Sequence, residues 1–336
     1  MKPSTLAPQA PRRRSPRRVF LGGLLAAGAL AGLAPARGAE QQPIVRLLVG
    51  FPPGGTTDVI ARLVASELGT RLNRSVIVEN RPGASGSIAA SYVAKAPADG
   101  NTLLFAPSSH ATNVTLYPNQ PFDTTKDLSA VGLVAATPYV LVVNPAMPVH
   151  SVREFIAYLK ANPDKVDYAS ASPGTGQHLA AEMFKSQAHV NMLHVPYKGS
   201  SAALPDLLAG RTPVMFDNIA VMLPYIKSGA VRPLAVTTTK RSQLLPDAPT
   251  ITESGVPGFE VTGWFGLFTA ARTPLPVIAS FNAALNAATD SAAFKQRLAE
   301  LGAETISGTP ASADAFVRRE ITRWEAVIHE AKISLN

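Results

Sequence analysis

The chain has 336 residues, 46% of them hydrophobic, with 31 Lys and Arg against 23 Asp and Glu, a formal net charge of +8 and no cysteine. Without cysteine, disulfides, thiol nucleophiles and thiolate-bound metals are excluded. Six basic residues (Lys2, Arg12, Arg13, Arg14, Arg17, Arg18) and no acidic one precede residue 37, which leaves 25 basic against 23 acidic residues, a net of +2, so nucleic acid is a poor partner for the rest of the chain.

The N-terminus reads as an export signal. The basic run is followed by an apolar segment from Val19 to Ala34, and Ala34-Pro35-Ala36 offers a small-x-small cleavage pattern. A signal over residues 1–36 is expected, with cleavage there or as late as residue 39. Arg17-Arg18-Val19-Phe20-Leu21 resembles a twin-arginine signal, although Pro16 departs from its usual pattern, and both that route and the general one fit. The apolar segment is short of the roughly 20 residues that span a bilayer. The expected location is therefore the periplasm. A chain exported without disulfides has to rely on a sizeable core, and about 300 residues are enough for two lobes.

In chain order, Ile44 to Phe51 predicts a buried strand that ends in Pro52-Pro53-Gly54-Gly55. A helix follows from Asp58, marked by Val59, Ile60, Leu63, Val64, Leu68 and Leu72. Ser75 to Glu79 reads as a strand, Ser87 to Lys95 as a helix and Thr102 to Ala106 as a strand, an alternation that argues for a parallel sheet flanked by helices. Strands at Val140 to Asn144, Tyr168 to Ser170, Met192 to Val195, Val214 to Asp217 and Val231 to Thr237 alternate with helices in the middle third. The last third is helical (Pro274 to Asp290, Ala292 to Leu301, Ala311 to about Ser334), with one strand candidate at Glu304 to Ile306. Helices with so little sheet of their own are expected to return to the first sheet. The expected organisation is one lobe of residues 44–137 plus 260–336 and a second of 138–259, joined by a hinge, with the crevice at the strand ends.

The strand-to-helix junctions carry the candidate chemistry. Gly54 and Gly55 let the backbone turn amides outward before a helix, so Gly54, Gly55 and Thr56 read as ligand contacts for an anion. The alternative is a plain cap by Thr56 or Thr57, with Asp58 offsetting the dipole. Gly83-Ala84-Ser85-Gly86 lacks the second spacer of G-x-S-x-G, so Ser85 reads as part of a turn and not as a nucleophile. Ser108 and Ser109 read as helix-capping residues with His110 at the crevice rim. Ser172-Pro173-Gly174-Thr175-Gly176 holds half of G-x-G-x-x-G, with Leu179 in place of the third glycine, which argues against a dinucleotide and leaves the amides open to a smaller anion. Tyr197 offers an aromatic wall, Lys198 reads as solvated, and Asp217 offers a hydrogen-bond acceptor. The histidines have no metal-binding spacing.

Phe51-Pro52-Pro53-Gly54-Gly55, Glu79-Asn80-Arg81-Pro82-Gly83-Ala84-Ser85-Gly86, Pro97-Ala98-Asp99-Gly100, Val195-Pro196-Tyr197-Lys198-Gly199 and Phe216-Asp217-Asn218 stand in an order that resembles the tripartite tricarboxylate transporter receptors, or Bug family. The resemblance implies a two-lobed α/β periplasmic-binding-protein (Venus-flytrap) fold with two sheets and a hinge, and a small carboxylate ligand. It implies that Phe51, Pro53, Gly54, Gly55 and Thr56, then Ser108, Ser109, His110 and Ala111, then Ser172, Gly174, Thr175 and Gly176, with Tyr197 and Asp217, face the ligand. Amides, hydroxyls and bridging water would hold the carboxylate in place of an arginine. It further implies small and large integral membrane subunits as partners; a monomer without cofactor or metal is expected. An enzyme, or a receptor presenting ligand to a membrane sensor kinase, are the alternatives.

Overall fold

The computed structural model describes residues 43–335. The expected export signal, its twin-arginine pattern and its cleavage site lie outside the described residues. Among the described residues no helix is long and apolar enough to cross a membrane.

The first stretch folds as its alternation requires. β1 (Val45–Val49), α1 (Thr56–Leu72), β2 (Val76–Asn80), α2 (Ser87–Ala94), β3 (Thr102–Pro107) and α3 (Ser109–Leu116) follow one another, and β1 runs parallel to β2 on one side and β3 on the other. The sheet is not wholly parallel, however. β4 (Leu128–Val143) and β9 (Thr262–Ala270) are antiparallel to each other over Leu128 to Pro138, and β9 is antiparallel to β3. Neither β9 nor the first ten residues of β4 had a sequence signature. Both are buried on both faces, so they show no period-two alternation.

The second sheet takes over where the first ends. α4 (Val152–Ala161), β5 (Asp167–Ser170), α5 (Gly176–Ala188), β6 (Leu193–Pro196), α6 (Ser200–Leu208), β7 (Val214–Asn218), α7 (Ile219–Lys227) and β8 (Arg232–Val236) follow β4. β5 is parallel to β6 and β7, while β7 and β8 flank the last residues of β4, antiparallel to it. The hand-over is sharp: Pro138 pairs with Thr262 of β9, and Tyr139 already pairs with Asn218 of β7. Proline cannot donate to a ladder, which suits a strand changing sheets. Buried Thr237 stitches this point: its hydroxyl accepts from Tyr139 N at 3.0 Å and donates to Val261 O at 2.6 Å.

The chain ends with α8 (Leu275–Thr289), α9 (Ala292–Glu300), β10 (Glu304–Thr305) and α10 (Pro310–Glu330); β10 pairs with β4 at Ala135 and Ala136. α8 and α9 cover the first sheet, where Phe281, Leu285 and Leu298 pack with Leu47, Ile60 and Leu103. α10 does more, because its 21 residues reach about 30 Å. Ala313 and Val317 pack beneath the first sheet with Leu104 and Val93, whereas Trp324 and Ile328 share a core with Phe155, Tyr168 and Phe184 of the second. Between them, Glu320 is buried, and its Oε2 accepts from the indole N–H of both Trp264 and Trp324 at 3.1 Å.

Glu320→Ala would leave two buried indole donors unpaired, at about 1–3 kcal/mol each. We expect it to lower unfolding stability by about 2–4 kcal/mol in urea titrations followed by tryptophan fluorescence. Glu320→Gln keeps an acceptor and should lose less; equal losses in the two variants would show that the indole bonds carry no weight.

Candidate functional site

Five helices begin at one place. Thr56 of α1, Ser109 of α3, Gly176 of α5, Ser200 of α6 and Asn218 at the head of α7 all line a small chamber of about 40 Å³ at the C-terminal ends of β1, β3, β5 and β7. The residues preceding these helices are Gly55, Ser108, Thr175, Gly199 and Asn218, and none of them caps its helix through a side chain. Three of the helices that start elsewhere are capped, α4, α9 and α10 by Ser151, Ser291 and Thr309, while α8 opens on proline and α2 follows Gly86 without a side-chain cap. An uncapped helix start leaves backbone N–H groups free for a ligand, and the macrodipole puts about half a positive charge at the helix N-terminus as a whole. Among the described residues no Lys or Arg lines the chamber. Five such ends facing one space favour an anion without a basic side chain.

Side chains complete the wall. The Thr56 hydroxyl and the Asn218 Oδ1 are buried and lack a hydrogen-bond partner among the described residues. Tyr139 is 4% exposed, and burial pushes its phenol up to about 12, so it stays protonated; its hydroxyl lies 3.5 Å from Ser108 Oγ. Asp217 is fully buried behind the wall, where its Oδ1 accepts from Gln177 Nε2 at 3.0 Å and from Asn218 N at 2.7 Å. Burial pushes its carboxyl up, against hydrogen bonds from Ser200, Gln177 and Asn218 that lower it. Its role here is to hold Gln177 in the chamber wall.

The structure brings together Phe51, Gly55, Thr56, Ser108, Ser109, Thr175 and Gly176 in this chamber. Ser172 and Tyr197 line an adjoining, larger chamber of about 430 Å³ that shares Phe51, Pro52, Ala171 and Gly199 with the first. Pro53, Gly54, His110, Ala111, Gly174 and Asp217 line neither. Gly54, at φ +85°, donates its N–H to Asp58 Oδ2 at 3.1 Å, and Asp58 also bonds Arg62 and Asn80. Asp58 is thus a structural carboxylate, and neither Thr56 nor Thr57 acts as the helix cap. Gly174, at φ +80°, donates its N–H to His178 Nδ1 at 3.1 Å, and its carbonyl accepts from Thr112 Oγ1 at 2.7 Å. His110 is not at the rim: it is buried against the Phe268 ring at 4.4 Å between centroids, and burial lowers its pKa to about 4. Ala111 is fully buried beside it.

Sequence reasoning missed Tyr139, Gln177, Ser200, Ser201, Pro107 and Phe265. Gln177, Ser200 and Ser201 follow the glycines that were singled out and were legible as helix starts. Tyr139 and Phe265 lie inside strands and carried no local signal. Tyr139 explains two glycines, since a Cβ at Gly176 would strike its hydroxyl and one at Gly263 would come within 2.7 Å of it.

Two outcomes follow. Gly176→Ala should displace Tyr139 and the first turn of α5, costing about 1–3 kcal/mol of stability and most ligand binding. Gly55→Ala, where a Cβ meets nothing within 4 Å and φ is −82°, should keep the fold; chemical denaturation of both separates them. The second concerns acid. Burial is the main reason that His110, His178 and His194 fall to about 4, 3 and 4. Below about pH 6.5 the unfolded chain takes up protons that the native state refuses, so stability is lost from pH 6.5 down towards pH 4, by up to about 1.4 kcal/mol per unit for each buried imidazole. The loss is smaller for partly buried His194. Asp217, raised in the native state, opposes the trend. A urea midpoint unchanged between pH 7 and pH 4.5 would contradict this.

Residues 60–333 match the family model described as the tripartite tricarboxylate transporter family receptor. The structure is similar to that of R. palustris Rpa4515 with adipate, at a TM-score of 0.85 and 40% identity over 87% of this chain and 98% of that one. It is similar to the periplasmic binding protein BugD, at 0.83 and 34% identity over 87% and 99% of the two chains. It also resembles MatC from Rhodopseudomonas palustris with bound malate, at 0.81 and 33% identity over 85% and 99%. The fold is therefore the two-lobed fold of periplasmic binding proteins. By family match, by fold and by identity along most of its length, the chain belongs to the tripartite tricarboxylate transporter receptors, the Bug proteins.

Proposed function

We propose that the chain is an exported periplasmic receptor whose two lobes, residues 44–137 with 260–336 and residues 138–259, close around a small carboxylate. It would then deliver that ligand to the small and large membrane subunits of a tripartite transporter. The observation that carries this reading is the set of five uncapped helix starts around a chamber that no Lys or Arg lines among the described residues. Hydrogen bonds to a charged acceptor contribute about 1.5–3 kcal/mol each. Four or five of them, less several kcal/mol for association, reach the roughly 8 kcal/mol of a micromolar complex. The adipate and malate in two relatives support the ligand class. The crossing at Pro138 and Thr237 is the proposed hinge, and the ligand shifts its equilibrium by preferring the closed form. The protein binds without turnover, and export by either route would bring it to the periplasm.

Calorimetry of the chain without its signal, against mono-, di- and tricarboxylates, tests the reading. At least one acid should bind at micromolar Kd and, at a hundredfold excess over Kd, add about 2.7 kcal/mol, raising Tm by a few degrees. Heat from amines or neutral sugars alone, with none from any acid, would overturn it.

A further inference from the structure

Thr175 stands where a capping residue would serve α5, yet its hydroxyl turns away and donates to Ser172 O at 2.7 Å. That leaves the first amides of α5 open to the chamber, which Thr175, Gly176 and Gln177 line. An uncapped start of this kind still has to be held at one angle, because ordering the amides only when the ligand arrives would cost affinity.

His178, the third residue of the helix, supplies the hold. Its Nδ1 accepts the Gly174 N–H at 3.1 Å, which fixes the peptide just ahead of the helix. In a capping box the side chain at this position reaches back to the backbone, and the capping residue covers a helix amide in return. Here only the backward half is made, so the turn is pinned and the helix amides stay open. Thr112 of α3 grips the other end of residue 174, its hydroxyl donating to the carbonyl at 2.7 Å.

The bond demands one form of the ring. An accepting Nδ1 carries no proton, so the neutral ring is protonated on Nε2, and an imidazolium could not accept at all. The surroundings enforce neutrality. His178 is 2% exposed and stacks on His194 at 4.1 Å between centroids, and His194 stacks in turn on Tyr168 at 4.9 Å. Two imidazolium rings at that spacing would repel. Lys185 and Glu182 face the same cluster, paired at 2.8 Å, with the Tyr168 hydroxyl donating to Glu182 at 2.5 Å. Burial, then His194 and Lys185, lower the His178 pKa to about 3. His194 Nε2 lies 2.7 Å from Ser170 Oγ, at the end of β5 where the loop departs.

We infer that His178 is a positioning residue of the binding site: as a neutral ring protonated on Nε2 it accepts the Gly174 N–H and so aims the open amides of Gly176 and Gln177 at the ligand. This rests on the reading of the chamber as an anion site.

Two substitutions separate positioning from packing. His178→Asn brings an amide oxygen to where Nδ1 stands, whereas His178→Leu fills the space without an acceptor. Both remove the ring, and both should lower the urea midpoint. In the ligand-free chain without its signal, hydrogen exchange followed by NMR should be at least tenfold faster at the bonded Gly174 and Thr175 amides in His178→Leu, and within threefold of the wild type in His178→Asn. Nitrogen-15 spectra of the wild type at pH 7 should show His178 protonated on Nε2 alone. Calorimetry with acetate, succinate and citrate should show, for whichever acid the wild type binds, at least tenfold weaker affinity in His178→Leu and at most threefold in His178→Asn. Equal exchange or equal affinity in the two variants would overturn the assignment, as would a proton on Nδ1. If none of the three acids binds the wild type, it is the carboxylate reading that fails, and exchange and tautomer still decide whether His178 sets the turn.

Discussion

The first turn of a helix has N–H groups that its own backbone cannot satisfy. Most proteins cap them locally, and this chain does so at Ser151, Ser291 and Thr309. At α1, α3, α5, α6 and α7 it does not, and all five converge on one chamber. The rest of the site follows from that unmet demand. Glycine precedes α1 and α6, so that nothing stands between amide and ligand. Phenol and hydroxyls, not basic side chains, fill the remaining wall. The carboxylate of Asp217 is drawn behind it and occupied by Gln177 and Asn218.

A chamber built from helices that follow strands of both sheets needs the two sheets held in register. One strand and one helix do this. β4 belongs to both sheets and changes hands at Pro138, beside the Thr237 stitch. α10 drives Val317 into one core and Trp324 into the other, with Glu320 binding an indole from each. Loop bonds add to this across the crevice: Thr112 holds the Gly174 carbonyl, and Ser85 bonds Ser172 Oγ at 3.0 Å. The loop that presents Thr175 and Gly176 is therefore positioned from both sides.

Much of this was legible in the chain itself. The βαβαβ opening, the glycine-bearing junctions and the alternation of the middle third could be read from period and punctuation alone. Those junctions then proved to be the chamber wall at Phe51, Gly55, Thr56, Ser108, Ser109, Thr175 and Gly176. The reading failed where burial is two-sided. β9 and the first part of β4 show no alternation, and with them went Tyr139 and Phe265. His110 failed for a different cause: a histidine beside a crevice loop looks like a ligand until Phe268 is seen to cover it.

By itself the sequence determined local matters: which segments form helices and strands, and where backbone must turn freely before a helix. Those are set within a few residues, by periodicity and by glycine. Only the tertiary structure decided that five helix starts share one chamber, that Tyr139 excludes a side chain at Gly176, and that Asp217 faces Gln177. Each of these joins residues dozens of positions apart, and no local spacing encodes which uncapped end will meet which.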